Sequence, residues 1–273
     1  MRDSSVCAYP AKAVGSDGGR TAPTVSVVIP TMNEAANLPH VLNRIPALVT
    51  ELIIVDGHST DDTVTVARAL RPDARIVHQT GRGKGDAIVC GFEAATGDIV
   101  VMLDGDGSTD PAEIASFVAA LLGGADLAKG SRFAIGGGSR DLTLWRQLGN
   151  SCLNRMVNVL FGTRYTDLCY GYNAFSREAL ERISFTCKGF EIEALITVRA
   201  ACAGLVVLEV PSVEHPRLFG ESNLRPVTDG LRILSVILRE WARWRFARAD
   251  AMVSVPAAPV MIGSPATGEA SSS

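Results

Sequence analysis

The chain has 273 residues, 47% of them hydrophobic and 20% charged, with a formal net charge of −3. That length suffices for one sizeable core, or a domain with an appendage, and the slightly acidic balance gives no case for a nucleic-acid partner. The six cysteines form no C-x-x-C pair and none lies near a histidine at zinc-ligand spacing, which argues against a zinc site and fits reduced thiols in a cytoplasmic protein.

Residues 1–23 are rich in Gly, Ser, Ala and Pro without periodicity and read as a disordered leader with no signal-peptide pattern. From residue 24 short β-rich runs alternate with helical patterns. Strands are predicted at 25–29, 51–55, 75–78 and 98–103. Helices are predicted at 36–48 (shortened or broken at Pro46), 61–70, 84–95 and 111–122, and 127–129 continues the alternation. This is the βαβ signature of a mostly parallel sheet with helices on both faces. The second half is less regular: a helix at 144–161, a strand or loop at 166–175 carrying Asp167, a helix at 190–203, a strand at 205–210 and a long helix at 226–246. Residues 250–273 read as a disordered tail. The predicted organisation is therefore a catalytic α/β domain over 24–225 and an amphipathic helix over 226–249. No stretch approaches the ~20 apolar residues of a membrane span.

In parallel sheets, ligands bind outside the carboxyl ends of the strands. That rule puts residues 30–34, 56–59, 81–85 and 104–108 on one rim. The fourth strand ends in Asp104-Gly105-Asp106-Gly107-Ser108. Residues two apart on an extended chain point the same way, so Asp104 and Asp106 can converge on one cation. Oxygen ligands of this kind suit Mg²⁺ or Mn²⁺ bridged to substrate phosphates. Lys84 opens a helix behind Gly81-Arg82-Gly83, where cationic charge and free backbone N–H groups can meet phosphate.

In order, spacing and flanking hydrophobicity, Pro30-Thr31-Met32-Asn33-Glu34, Asp56-Gly57-His58-Ser59, the Gly81–Gly85 loop and the Asp104/Asp106 pair closely resemble glycosyltransferase family 2. The resemblance spans about residues 24–225 and implies an αβα nucleotide-binding sandwich of the GT-A type. It implies that Pro30, Thr31, Asn33, Glu34, Asp56, Lys84 and Gly105 help to bind a nucleotide sugar and that Asp104 and Asp106 hold the metal. His58 departs from the second aspartate that many relatives carry and is read as a rim residue.

Four further segments are similar to the polyprenyl-phosphate sugar synthase branch. They are Lys129-Gly130-Ser131-Arg132, the run from Asp167 through Gly171 to Arg177, Gly189–Glu193, and Arg217-Leu218-Phe219-Gly220-Glu221-Ser222. The resemblance implies that Arg217 and Ser222 close over the donor diphosphate and that Arg132 and Arg225 bind the acceptor phosphate. Asp167 is read either as general base for a hydroxyl acceptor or as a loop carboxylate pairing with Arg164 or Arg177. Glu191 and Glu193 are read as first-turn helix carboxylates, and His215 as structural. On the last helix, Leu231, Leu234, Leu238 and Trp241 share a stripe, and its 231–238 part is expected to pack inward. The Trp- and Arg-rich end, 241–248, is expected to touch a membrane interface. The expected reaction is metal-dependent inverting hexose transfer from GDP-mannose or UDP-glucose to a polyprenyl phosphate at the inner membrane face. The alternative acceptor is a small-molecule hydroxyl.

Overall fold

The computed structural model describes residues 22–185, 189–221 and 225–253, with side chains through Ala247. The expected leader and tail, Ser222, Cys7 and Cys187 lie outside the described residues, apart from the leader's last two residues and the tail's first four. In chain order the elements are β1 (Val25–Thr31), α1 (Leu38–Leu42), β2 (Glu51–Asp56), α2 (Thr63–Leu70), β3 (Arg75–His78) and α3 (Lys84–Ala94). There follow β4 (Ile99–Met102), α4 (Ile114–Leu122), β5 (Leu127–Ser131), β6 (Gly138–Ser139), α5 (Leu144–Phe161) and β7 (Asn173–Ser176). The chain ends with α6 (Arg177–Arg182), α7 (Ile192–Cys202), β8 (Val207–Pro211), β9 (Val213–Glu214) and α8 (Pro226–Val253).

The central sheet has seven strands in the order β3-β2-β1-β4-β7-β5-β8, parallel except for β7. Both faces are covered, so its strands read as near-continuous apolar runs. Val25, Val27 and Ile29 enter one core with α1, α2 and α4. Val28, Ile53 and Val55 enter the other with α3, α6 and α7. On α3, a Cβ at Gly91 would lie 2.2 Å from Val28 Cγ1. The missing side chain lets α3 sit close on the sheet, which brings its first residue, Lys84, to the strand ends.

The structure differs from expectation where pairing is non-local. Only Leu38–Leu42 of the first predicted helix is helical. The 166–175 segment is a loop that ends in β7, an antiparallel strand inserted between β4 and β5. α5 has its predicted bounds, set by a Thr143 side-chain cap and a left-handed Gly162 at φ 70°. A third core joins α5, α7 and α8 through Val157, Phe161, Ala194, Val198, Ile233 and Ile237. This packing turns α8 away from the predicted orientation. Leu231 and Leu238 are 61% and 46% exposed, whereas Trp241 and Trp244 pack against the third core. Trp244 lies 5.7 Å from the Phe161 ring. Trp241 and Trp244, assigned to a membrane interface, thus pack against the third core, while Leu231 and Leu238, assigned to the core, are exposed. The described cysteines are free.

Candidate active site

The chain winds from β1 outward through β2 to β3, then returns to β4 on the other side of β1. The carboxyl ends of β1 and β4 therefore flank a topological switch point, where α/β sheets bind ligands. A cleft of about 380 Å³ opens there. Of the residues the sequence points to, Pro30, Thr31, Glu34, Lys84, Asp104, Gly105, Asp106, Arg132 and Arg217 line it.

Charge is tightly paired in the cleft. Lys84 Nζ lies 2.7 Å from Asp104 Oδ1 and 2.7 Å from Glu193 Oε1. Burial works against the Lys84 charge, but the two carboxylates outweigh it and hold the ammonium well above the usual lysine range. Arg217 pairs with Glu34 and stands 3.7 Å from Asp106 Oδ2. Its Nε donates to the Phe219 carbonyl at 2.8 Å, and Asn37 brackets Phe219 from the other side, accepting from its N–H at 3.0 Å. The 217–219 segment is thereby fastened across the cleft to Glu34 and Asn37. Burial raises the Glu34 pKa against the opposing hydrogen bonds from Asn37 and Arg217.

The acidic pair fits a divalent cation by the chemistry of its donors. Asp104 and Asp106 offer carboxylates, Ser108 lines the same wall, and the described residues hold no cluster of three or more acidic, His or Cys side chains. Such a partial shell suits an ion that takes its remaining ligands from phosphates and water. Each carboxylate faces a basic side chain that an arriving diphosphate would attract.

Several predicted residues have other work. Asn33 accepts from Thr60 N at 2.8 Å and its own N–H donates to Ser59 Oγ at 3.0 Å, stapling two rim loops behind the cleft. Asp56 is buried and accepts from Ser59 N at 3.3 Å; His78 Nδ1 lies 3.3 Å from its other oxygen. Arg225 is exposed at the head of α8 and is not part of the cleft wall. Asp167 is fully buried and pairs with neither Arg164 nor Arg177. Arg132 grips it through Nε at 2.7 Å, Nη2 at 2.9 Å and its backbone N–H at 3.2 Å, and Asn150 Nδ2 adds a fourth bond at 3.1 Å. The other Arg132 terminus reaches Glu214 at 3.1 Å. Arg177 instead donates to the carbonyls of Ala95 and Gly97.

Sequence reasoning passed over Glu193. α7 is buried on all sides from Ile192 to Val198, and a carboxylate in a helix that reads apolar all round needs a buried partner. Gly171 is the other quiet contributor. A Cβ there would fall 2.8 Å from Asp104 Oδ2 and 3.0 Å from Lys84 Nζ. Gly171→Ala is expected to cost about 1–3 kcal/mol by overpacking, read as a lower urea midpoint. It should also weaken nucleoside diphosphate binding in calorimetry.

Residues 26–184 match glycosyl transferase family 2. The chain belongs to glycosyltransferase family 2. It is 32% identical over 258 residues to the polyprenol monophosphomannose synthase of Mycolicibacterium smegmatis, covering 89% of this chain and 97% of that one. It is 30% identical over 240 residues to the undecaprenyl-phosphate mannosyltransferase of Micrococcus luteus, covering 82% and 98%. Among solved structures, glucosyl-3-phosphoglycerate synthase of Mycobacterium tuberculosis with Mg²⁺ and UDP superposes with a TM-score of 0.64 at 26% identity, covering 81% and 80%. The same enzyme with phosphoglyceric acid gives 0.65 at 27%, with the same coverage. This glycosyltransferase therefore has the GT-A fold, and related structures hold Mg²⁺ or Mn²⁺ beside UDP. No helix among its described residues is long and apolar enough to cross a membrane.

Proposed function

We propose that this glycosyltransferase moves a hexose, with inversion, from GDP-mannose or UDP-glucose to a polyprenyl phosphate, with Asp104 and Asp106 holding Mg²⁺ or Mn²⁺. The observation that carries the acceptor class is the second half of the cleft. Beyond the acidic pair it runs between α5 and α8, past Leu142, Trp145, Leu153 and Ile233, with Arg132 and Arg146 in its wall. Two arginines, paired there with Glu214 and Asp141, beside an apolar passage suit a phosphate on a hydrocarbon chain. Relatives named for polyprenol- and undecaprenyl-phosphate mannose transfer support the same class.

In this reading Pro30, Thr31 and Glu34 border the nucleotide, and Lys84 and Arg217 leave their carboxylates for the diphosphate oxygens. When bound, the cation neutralises charge on the departing nucleoside diphosphate. Ser222, outside the described residues, is assigned to the donor on the family resemblance alone. Arg132 and Arg146 orient the acceptor phosphate. A phosphate monoester, with a second pKa near ~6, is largely dianionic at neutral pH, so its oxygen attacks the anomeric carbon without a protein base.

A small phosphorylated acceptor is the second reading, favoured by the likeness to glucosyl-3-phosphoglycerate synthase. The test is nucleoside diphosphate release from a panel of nucleotide sugars with Mg²⁺ or Mn²⁺. Release stimulated by a short polyprenyl phosphate is the expected result. Release stimulated by phosphoglyceric acid and indifferent to the lipid would overturn the lipid reading.

A further inference from the structure

A groove of about 430 Å³ lies between α7 and α8 and shares no lining residue with the cleft. Four arginines line it, Arg199 from α7 and Arg232, Arg239 and Arg243 from α8, against two carboxylates, Glu191 and Glu240. Its wall is therefore positive on a chain whose formal net charge is −3. The carboxylates are already engaged. Arg199 Nε and Nη2 each lie 3.2 Å from Glu240, and Arg243 Nη1 lies 3.1 Å from the same group. Glu191 accepts the Gly189 N–H at 3.3 Å. Arg239 is exposed and has no hydrogen bond or ion pair among the described residues.

The α8 arginines form a row. Arg239 and Arg243 are one turn apart and Arg232 precedes them by two turns, so all three share a helix face. At ~1.5 Å per residue the row is roughly 16 Å long. Each planar fork can take a phosphate, and neighbouring forks one turn apart stand about 5–6 Å from one another at their Cβ atoms. Several phosphates in line suit that spacing; one phosphate would leave most of the row unpaired. Arg232 also ties the groove to the cleft. Its Nη1 lies 3.2 Å from Asp229 Oδ1. Asp229 is buried, lines the cleft between α5 and α8, and accepts the Arg225 N–H at 2.7 Å through its other oxygen.

We propose that the α7/α8 groove is a second anion site that takes a soluble oligophosphate, and that its occupancy is felt in the cleft through Arg232 and Asp229. A phosphate oxygen on Arg232 competes with Asp229 for the guanidinium, which leaves a less compensated carboxylate in the cleft wall. Only this coupling rests on the polyprenyl-phosphate reading, in which that wall meets the acceptor phosphate.

The experiment is calorimetric titration of the full chain with inorganic tripolyphosphate, without added metal and at fixed ionic strength. Binding is expected in wild type and in Arg217→Ala, which removes a cleft cation. It should weaken about fivefold in Arg239→Ala and in Arg243→Ala. Arg239→Ala breaks no internal bond, so its melting temperature should match wild type. ATP in place of tripolyphosphate separates the sources of the ligand: equal affinity assigns the site to a free phosphate chain, and tighter binding assigns it to a nucleotide. Absence of binding would overturn the site. So would binding that Arg217→Ala abolishes and Arg239→Ala leaves unchanged, or sulfate binding as tight as tripolyphosphate. The coupling is read from turnover with a short polyprenyl phosphate at constant free Mg²⁺. Tripolyphosphate should raise the acceptor KM about threefold in wild type and leave it unchanged in Arg239→Ala. An acceptor KM indifferent to a bound oligophosphate would overturn the coupling. Absence of lipid-stimulated turnover would overturn the acceptor class alone, because the titration does not depend on it.

Discussion

Asp106→Asn is expected to lower nucleoside diphosphate release by about 10²–10³-fold, the usual effect of removing one preorganised electrostatic partner of the developing charge. Its side chain is 21% exposed and its nearest cation, Arg217, is 3.7 Å away and keeps Glu34 as a partner. Little folding free energy therefore depends on this carboxylate, and the melting temperature should stay close to wild type. Asp104→Asn should match the loss of activity and also lower stability, because Lys84 would keep only Glu193. Mn²⁺ binding in the presence of nucleoside diphosphate, followed by electron paramagnetic resonance, gives a second readout. Both variants should lose it. Wild-type Mn²⁺ affinity and turnover in Asp106→Asn would remove the acidic pair from the reaction.

The first half of the site was legible because its signals are local. In a parallel sheet each rim loop directly follows its own strand, so Thr31, Lys84, Asp104 and Asp106 reach one edge by topology alone. The second half depends on partners far apart in the chain. Arg132 and Asp167 are 35 residues apart, and no local pattern distinguishes that pairing from one with Arg164 or Arg177. β7 runs antiparallel inside an otherwise parallel sheet, which alternation cannot announce. α8 shows a different limit. Ile233, Leu234, Val236, Ile237 and Leu238 place apolar groups around most of the helix, so periodicity admits more than one buried face. Contacts with Phe161 and the α7 side chains decide between them. Glu193 was readable in principle, from the apolar residues on every side of it.

Asp167→Asn is expected to destabilise the fold by about 3–5 kcal/mol, the cost of breaking one side of a buried ion pair. Asp167 is 0% exposed, and its oxygens accept from Arg132 Nε, Arg132 Nη2 and Asn150. Burial alone would raise its pKa, but the hydrogen bonds and charge of Arg132, aided by the nearby Lys129 ammonium, hold it below the usual carboxylate range. A folded-state pKa below the unfolded one means the stabilisation is complete above the unfolded value, ~3.9, and is lost as pH falls through the folded value. Wild-type protein should therefore keep this contribution at neutral pH and lose it in acid, while Asp167→Asn lacks it throughout and shows a shallower acid limb in chemical denaturation. A general base would need the opposite: an accessible lone pair and a pKa nearer neutrality. In the proposed reading Asp167 is a positioning residue that holds Arg132 in the cleft wall. At a temperature where Asp167→Asn remains folded, acceptor KM should rise more than kcat falls, and the pH profile of kcat should keep its wild-type acid limb. Complete loss of kcat in folded protein, with that limb abolished, would restore Asp167 as the base and with it the hydroxyl acceptor.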